Sequence, residues 1–276
     1  MHIWYRILSF LNTEATEPQP YGIFHLCAFA LVILIAVLLC RLRPEGEERF
    51  TRRLLTVIAI LSLTAELYRQ VHYGFSLENG KIIPDYRWYI FPFQFCSTPM
   101  YAALIAAIAP RGRLRNVMCA YLATYALFAG SAVMLYPVTI FTETVGINIG
   151  TVICHGSMII LGTYLLYTGY VPTDRITLRK ALPVFAGCIF IAVNLNAGAR
   201  LAGILEDHTF NMFFISPYCE PSLPVYTLVQ ENVPYPFCLL FYILGFTAAA
   251  GIVLFLFGSL FRRIRRHAVM LERSFL

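Results

Sequence analysis

Charged residues are scarce in this sequence. Only 13% of its 276 residues are Asp, Glu, Lys or Arg, whereas 59% are hydrophobic. A soluble domain has roughly twice that share of charged residues, so the composition excludes a soluble globular enzyme. It also excludes a disordered chain, because such chains are poor in hydrophobic residues. The sequence therefore predicts an all-α, polytopic membrane protein.

Several motifs of enzymes and metal sites are also missing. The eight cysteines form no CxxC pair, and there is no glycine-rich phosphate loop and no GxSxG. No set of His and Cys has the spacing of a zinc site. We therefore predict no cofactor and no metal. Cys219 and Cys238 lie near the same membrane surface, and their spacing leaves a disulfide between them open.

Seven apolar runs are long enough to be membrane helices. A bilayer core about 30 Å thick needs roughly 20 mostly apolar residues per helix. The runs occupy residues 21–40, 54–73, 88–109, 116–135, 147–166, 181–205 and 235–257. The first run lacks the basic start and the cleavage site of a signal peptide. We expect residues 1–276 to form one seven-helix transmembrane domain, with a long outer loop at 206–234.

The basic residues indicate the orientation. Cytoplasmic connections of membrane proteins carry an excess of Lys and Arg. Sixteen of the 21 basic residues share one side if the chain crosses seven times, which predicts an outside N-terminus and a cytoplasmic C-terminus. In this position they contact anionic membrane lipids, and no nucleic-acid partner is expected. The sixteen are Arg41, Arg43, Arg49, Arg52, Arg53, Arg111, Arg113, Arg115, Arg175, Arg179, Lys180, Arg262, Arg263, Arg265, Arg266 and Arg273.

Polar residues inside the apolar runs are the strongest indication of function. Such groups are costly in a membrane and usually face a cavity or a partner. The set comprises Glu66, Arg69, Gln70 and His72 in the second run, Gln94, Cys96 and Thr98 in the third, His155 in the fifth, and Asn194, Asn196 and Arg200 in the sixth. Spacings of three and four place Glu66, Arg69 and Gln70 on one helical face.

Three of these groups are predicted to share one depth. From the rise of about 1.5 Å per helical residue, Cys96 and His155 each lie about 12 Å below the outer surface. The same rise places Glu66 about 10 Å down. The sequence thus predicts one polar layer in the outer half of the membrane, supplied by three different helices.

A cysteine and a histidine at one depth suggest nucleophilic catalysis. An imidazole can remove the thiol proton, and the thiolate can attack an ester carbonyl to give a thioester. A second nucleophile then takes the acyl group. Because Pro99 has no N–H, we expect a distorted helix beside Cys96. Candidates for oxyanion stabilisation or substrate binding are Gln94, Thr98, Glu66, Arg69, Asn194, Asn196, Arg200 and Asn211.

Each feature also has a structural interpretation. Cys96 alone is typical of packing, and His155 of a hydrogen bond between helices. Glu66 and Arg69 form a buried ion pair in this interpretation, while Gly146 and Gly150 allow close helix packing.

Four motifs resemble those of a known family. FPFQFCS at residues 91–97 resembles the "LPLHLC" signature of the YwaF-like integral membrane proteins of bacteria, and His155 with Gly156 resembles their later histidine–glycine site. NMFF at 211–214, followed by Pro217, is similar to "NYMYL…P", and VPYP at 233–236 to "GPWPWY". The motifs keep their order across about residues 20–260. The chain departs from them at Gln94 and Phe213, where the family has histidine and tyrosine.

The resemblance implies a lipid-modifying enzyme. The YwaF-like family is related to an animal transmembrane acyltransferase that remodels ether phospholipids through an acyl-cysteine. It implies that Cys96 is the nucleophile, that His155 is the base, and that the substrates are a phospholipid or lysophospholipid. It also implies the bacterial inner membrane. Gln94 cannot act as a base, so the role of the family's first histidine does not carry over.

Two other functions stay open at this stage. A small-solute transporter, channel or receptor would line its path with Glu66, Arg69, His72, Asn194 and Arg200. A lipid ester hydrolase would use Cys96 and His155 in the same way but transfer the acyl group to water.

Overall fold

The chain is mostly helical, and six of the described helices are long and apolar enough to cross a membrane. The computed structural model describes residues 2–42, 47–138, 140–204, 210–219 and 224–274. Numbered with the shorter helices along the chain, the six are α2 (Ile23–Leu42), α3 (Glu48–His72), α5 (Arg113–Leu135), α6 (Val145–Tyr167), α7 (Arg175–Leu201) and α9 (Tyr235–Ser274, apolar over Tyr235–Ile264). A multi-pass helical membrane protein is therefore confirmed.

Some predicted positions lie outside the described residues. They are Arg43, residue 205 at the end of the sixth run, and residues 206–209 and 220–223 of the outer loop. The side chains of Arg265, Arg266 and Arg273 also lie outside the described part of the structure, although their backbone is part of the last helix.

The remaining elements are short. They are α1 (His2–Leu11), strands β1 (Phe75–Glu78) and β2 (Lys81–Pro84), α4 (Thr98–Ile108) and α8 (Pro224–Asn232). The two strands form an antiparallel hairpin with Phe75 opposite Pro84. Its turn residues, Asn79 and Gly80, have φ of 48° and 75°, the conformation that Asn-Gly favours in two-residue hairpins.

Helix α6 lies at the centre of the bundle, where it packs against α2, α3 and α5. Glycines permit this close approach. A Cβ atom at Gly156 would lie 2.5 Å from Val32 of α2, and one at Gly130 of α5 would lie 2.6 Å from the carbonyl oxygen of His155. Small residues commonly bring membrane helices together in this way. This close packing holds the part of α6 around His155 against both α2 and α5.

Helix α5 contains a π-helical turn. The turn, Leu122–Ala126, separates the α-helical parts Arg113–Tyr121 and Leu127–Leu135. Thr124 bonds back to the Ala120 carbonyl at 2.7 Å, and the Tyr121 and Tyr125 rings stack with centroids 5.8 Å apart. Such turns often occur at functional sites, and this one lies against α6.

One end of the bundle is crossed by residues 11–15, which we call the strap. The strap pairs with residues 143–145 before α6: the Val145 amide bonds the Thr13 carbonyl at 3.1 Å, and the Ala15 amide bonds the Glu143 carbonyl at 2.8 Å. We refer to this side as the strap end.

The opposite end is held by arginines around one carboxylate. Glu48, at the start of α3, forms ion pairs with Arg52, Arg111 and the fully buried Arg115. Tyr170 donates a hydrogen bond to the same carboxylate at 3.0 Å. Burial, together with this bond, raises the pKa of Tyr170 to about 12. Removing Glu48 would leave Arg115 as an uncompensated buried charge, which is strongly destabilising.

Candidate active site

Cys96 lies in a turn immediately before α4. The chain makes a 3-10 turn at Trp88–Ile90 and then remains irregular until α4 begins at Thr98. Pro99 occupies the first turn of α4, where a missing N–H leaves no bond unmade. The amides of Ser97 and Thr98 both bond the Gln94 carbonyl, at 2.9 and 3.2 Å. Within the predicted run 88–109, the α-helix therefore begins only at Thr98. We expected a distortion beside Cys96 alone, but all of residues 88–97 lack α-helical structure.

His155 lies in the middle of α6 and is 8% exposed. Its Nδ1 is 2.9 Å from the carbonyl oxygen of Thr151, one turn earlier. Because a carbonyl only accepts, Nδ1 carries the proton of the neutral ring. Nε2 then has a free lone pair, and it has no hydrogen-bond partner among the described residues. The helix itself therefore fixes the tautomer in which Nε2 can act as a base.

Glu66 and Arg69 form the polar cluster on α3. Arg69 Nη2 donates to Glu66 Oε1 at 2.9 Å and also reaches the Ile90 carbonyl at 3.3 Å and Ser97 Oγ at 3.4 Å. Arg69 Nε donates to the same Glu66 oxygen at 3.3 Å. These contacts tie α3 to the segment that carries Cys96, and none of them uses Nη1 of Arg69.

A further link extends this cluster toward the hairpin. Gln70 Nε2 donates to Glu66 Oε1 at 2.7 Å and to the Ile90 carbonyl at 2.9 Å. The Tyr86 hydroxyl donates to Gln70 Oε1 at 2.6 Å. Burial, with a smaller contribution from the Glu66 carboxylate, raises the pKa of Tyr86, so this hydroxyl keeps its proton and remains a donor.

Cys96 and His155 line the same cavity. Its volume is about 60 Å³, and Glu66, Arg69 and Cys154 also line it. Space of this size holds a few water molecules. The arrangement brings together a thiol, an imidazole with a free nitrogen, and an ion pair, from the turn before α4, from α6 and from α3.

Gln94, Asn196 and Asn211, three other predicted residues, form hydrogen bonds with the backbone of residues 211–216. Gln94 accepts from the Phe213 amide and donates to the Asn211 carbonyl, both at 3.0 Å. Asn196 accepts from the Met212 amide at 2.8 Å and donates to its carbonyl at 3.1 Å. The Asn211 side chain accepts from the Ser216 amide at 2.9 Å. These amides hold residues 211–216 in place, and they do not line the cavity.

The last three predicted residues also lie away from the cavity. Thr98 bonds the Tyr121 hydroxyl at 2.6 Å and the Phe95 carbonyl at 2.9 Å. Asn194 is exposed and donates to the Phe190 carbonyl of its own helix. The Arg200 guanidinium lies 4.3 Å from the centre of the Tyr218 ring.

Sequence reasoning missed several residues that line the cavity. They include Ser62, Tyr68, Cys154 and Ser157. The Ser62 and Ser157 hydroxyls are 3.3 Å apart and link α3 to α6. Ser157 and Cys154 are close to His155 in sequence, but Tyr68 resembles any interfacial tyrosine and gave no signal.

The cysteines are free thiols. Cys219 and Cys238 do not form a disulfide; their sulfurs lie 3.4 Å and 3.0 Å from the carbonyls of Phe210 and Val233. Among the described residues, no three or more His, Cys, Asp or Glu side chains are grouped so that they could hold a metal ion.

Fold and site together define a multi-pass membrane protein with a partly buried thiol and a buried imidazole in one cavity. The model of the TMEM164 family matches residues 19–260, which is most of the chain. The chain therefore belongs to the TMEM164 family, a family of transmembrane proteins. Neither the curated proteins nor the solved structures contain a match to it.

Proposed function

We propose that this protein is a membrane acyltransferase that acts on phospholipids through an acyl-cysteine at Cys96, with His155 as the base. The observation that carries the proposal is the shared cavity, in which Nδ1 of His155 is bound to a backbone carbonyl and Nε2 is free. The resemblance of residues 91–97 and 155–156 to the YwaF-like motifs supports the same two roles. Membership of a transmembrane family is consistent with a lipid substrate.

The proposed reaction has two balanced steps. Nε2 of His155 takes the proton of the Cys96 thiol, and the thiolate attacks an ester carbonyl of a phospholipid. The C–O bond breaks, the thioester forms, and the lysophospholipid leaves with the proton from His155. In the second step, His155 takes a proton from the hydroxyl of an acceptor lysophospholipid. That oxygen attacks the thioester, the C–S bond breaks, and the Cys96 thiol regains its proton.

Arg69 is the best-placed group to stabilise negative charge during these steps. Its Nε and Nη2 are already bound, which holds the guanidinium rigidly beside Ser97. Nη1 takes no part in these bonds and is available to a developing oxyanion. Because the cavity holds only a few waters, an ester carbonyl enters only when neighbouring side chains move.

We further propose how the protein sits in the membrane. The irregular residues 88–97 and the short apolar helix α4 complete a seventh crossing, with the strap end outside and the arginine end in the cytoplasm. The location of many basic residues at the arginine end supports this orientation. Irregular backbone is tolerated at membrane depth where it is buried in protein or lines a cavity, and Cys96 lines one. The resemblance to the YwaF-like motifs supports a location in a bacterial inner membrane.

The test is acyl exchange by purified protein in lipid vesicles. We expect Cys96→Ala to lose exchange between an isotopically labelled phospholipid and a lysophospholipid, because the nucleophile is gone. Cys27→Ala is the matched control, since Cys27 is exposed on α2 and does not line the cavity. Both variants are compared at equal amounts of folded protein, measured by size exclusion and thermal unfolding.

The outcomes separate the alternatives. Full exchange by Cys96→Ala would refute the mechanism. Release of free fatty acid in place of exchange, dependent on Cys96, would make the protein a lipid ester hydrolase. Solute flux that survives Cys96→Ala would indicate a transporter or channel.

A further inference from the structure

A second, larger pocket lies at the strap end. Its volume is about 550 Å³, and its walls are largely polar, with Glu14, His72, Arg87 and Glu143 among them. Glu14 and Arg87 are exposed to solvent, so the pocket opens at the protein surface. We call it the polar pocket.

The polar pocket lies about one helical turn from the cavity that contains Cys96. On α3, Tyr68 lines the cavity and His72 lines the polar pocket. At the helical rise, these positions are about 6 Å apart along the axis. At the start of α6, Ile147 lines the cavity and Thr144 lines the polar pocket. The same two chain segments thus border both spaces, and on each of them the polar pocket is on the side toward the strap end.

Tyr68 lines the cavity, and its hydroxyl reaches the strap beside Asn12, which lines the polar pocket. Its ring packs directly against Gly146 of α6, and a side chain at Gly146 would overlap the ring. The next turn of α6 is also close, because a Cβ atom at Gly150 would lie 3.6 Å from that of Ala65. Glycine at 146 therefore gives the Tyr68 ring its place between α3 and α6.

The strap holds the Tyr68 side chain by its hydroxyl group. Tyr68 Oη donates to the Leu11 carbonyl at 2.5 Å. Asn12, the next residue, bonds Nδ1 of His72 at 2.7 Å and lines the polar pocket. The backbone bonds between the strap and residues 143–145 fix that carbonyl against the start of α6.

We propose that Tyr68 is the barrier between the polar pocket and the thiol cavity, and that water-soluble molecules reach Cys96 past it from the strap end. The bond to Leu11 keeps the barrier closed. If the proposed acyl transfer is correct, and this part rests on it, Tyr68 also keeps water from the thioester. It then sets the ratio of transfer to hydrolysis.

The test is the rate at which a charged, membrane-impermeant methanethiosulfonate modifies Cys96 in vesicle-embedded protein, with the modified cysteine located by mass spectrometry. We expect Tyr68→Phe to accelerate modification about fivefold, the value of one lost neutral hydrogen bond. Tyr68→Ala removes the ring as well and should react faster still. Tyr21→Phe is the matched control, because its hydroxyl also bonds a carbonyl, that of Leu135 at 3.0 Å, but Tyr21 does not line the cavity.

The expected order of rates is Tyr68→Ala, then Tyr68→Phe, then Tyr21→Phe equal to the unmodified sequence. Equal rates for Tyr68→Phe, Tyr68→Ala and the unmodified sequence would overturn the proposal. Fast modification of the unmodified sequence, unaffected by Tyr68, would overturn it as well. Because the assay measures access to a thiol, its result does not depend on acyl transfer, and either proposal can fail without the other.

Discussion

The hydrogen bonds of His25 and His155 distinguish a structural ring from one available for chemistry at the cavity. His25 uses both nitrogens: Nδ1 accepts from the Tyr21 amide at 3.2 Å, and Nε2 donates to the Met134 carbonyl at 3.0 Å. His155 uses Nδ1 alone, and its ring borders a cavity that also contains Cys96. This difference is the reason for assigning the base to His155.

We expect His155→Gln to reduce acyl exchange by about 100-fold or more, the usual contribution of a general base. Glutamine is close in size and polarity to histidine but cannot take up a proton at neutral pH. The measurement is the initial rate of exchange with labelled phospholipid, per mole of folded protein.

His25→Gln is the control for this substitution. It removes a buried histidine of the same chemistry from α2, so it should lower stability but keep the exchange rate of the folded fraction. If His155→Gln retained exchange, or if both variants lost it equally per folded molecule, the assignment of the base would be wrong.

Among single residues, the sequence predicted which groups cluster better than it predicted which way other side chains point. Helical spacing grouped Cys96, His155 and Glu66, and all three line one cavity, although residues 88–97 before Cys96 are not α-helical. Their depth in a membrane stays a prediction. Helical spacing could not separate Arg69, which lines that cavity, from Gln94 and other amides that bind backbone. Whether a polar side chain faces the cavity or binds the backbone depends on where residues 211–216 lie. Tertiary packing sets that position, and helical spacing in the sequence does not reveal it.

Among the elements, residues 211–216 are the most unusual. Phe213 and Phe214 have φ of 59° and 58°, a left-handed conformation that costs of order 1–3 kcal/mol for a residue other than glycine. Gln94 and Asn196 bind the backbone of residues 211–213, at the start of this strained turn, and the Tyr242 hydroxyl donates to the Phe213 carbonyl at 3.0 Å. We infer that these hydrogen bonds offset the conformational cost of the strained turn, which lies beside the segment that contains Cys96.

Asn196→Ala should therefore be strongly destabilising. It leaves the buried Met212 amide without its partner, at a cost of about 1–3 kcal/mol. It also removes one of the two donors to the Met212 carbonyl, which keeps the Ile215 amide at 3.4 Å. The measurement is thermal unfolding in detergent, where we expect a clearly lower midpoint.

Asn194→Ala is the matched control, two residues away on α7. Asn194 is exposed and bonds only a carbonyl of its own helix, so its loss should change the midpoint little. Equal midpoints for the two variants would show that Asn196 does not hold residues 211–216.

The longer helices could be predicted from the apolar runs of the sequence, whereas the shorter elements could not. Apolar runs predicted six helices whose bounds agree with the structure to within a few residues, apart from the extensions of α3, α7 and α9. Residues 88–97 differ because Pro92 and Pro99 interrupt an otherwise apolar run. Helix α1 and the hairpin at 75–84 were missed, since ten amphipathic residues and two four-residue strands are too short to give a periodic signal.

In the whole molecule, α6 connects the features that matter for function. It packs against α2, α3 and α5, carries His155 at its middle, and begins where the strap closes the bundle. The cavity of Cys96 lies beside it, and the polar pocket lies about one turn beyond. In the proposed mechanism, the route of access, the base and the nucleophile all lie around this one central helix, which suits a reaction that must be shielded from water.

The most direct test of this account is a search for the acyl-enzyme itself. Protein in vesicles of phospholipid with an isotopically labelled acyl chain is quenched in acid, digested and analysed by mass spectrometry. We expect the peptide containing Cys96 to gain the mass of the labelled acyl group and to lose it in neutral hydroxylamine, as a thioester does. Acyl exchange with an unmodified Cys96 peptide, or with the label on another residue, would contradict it.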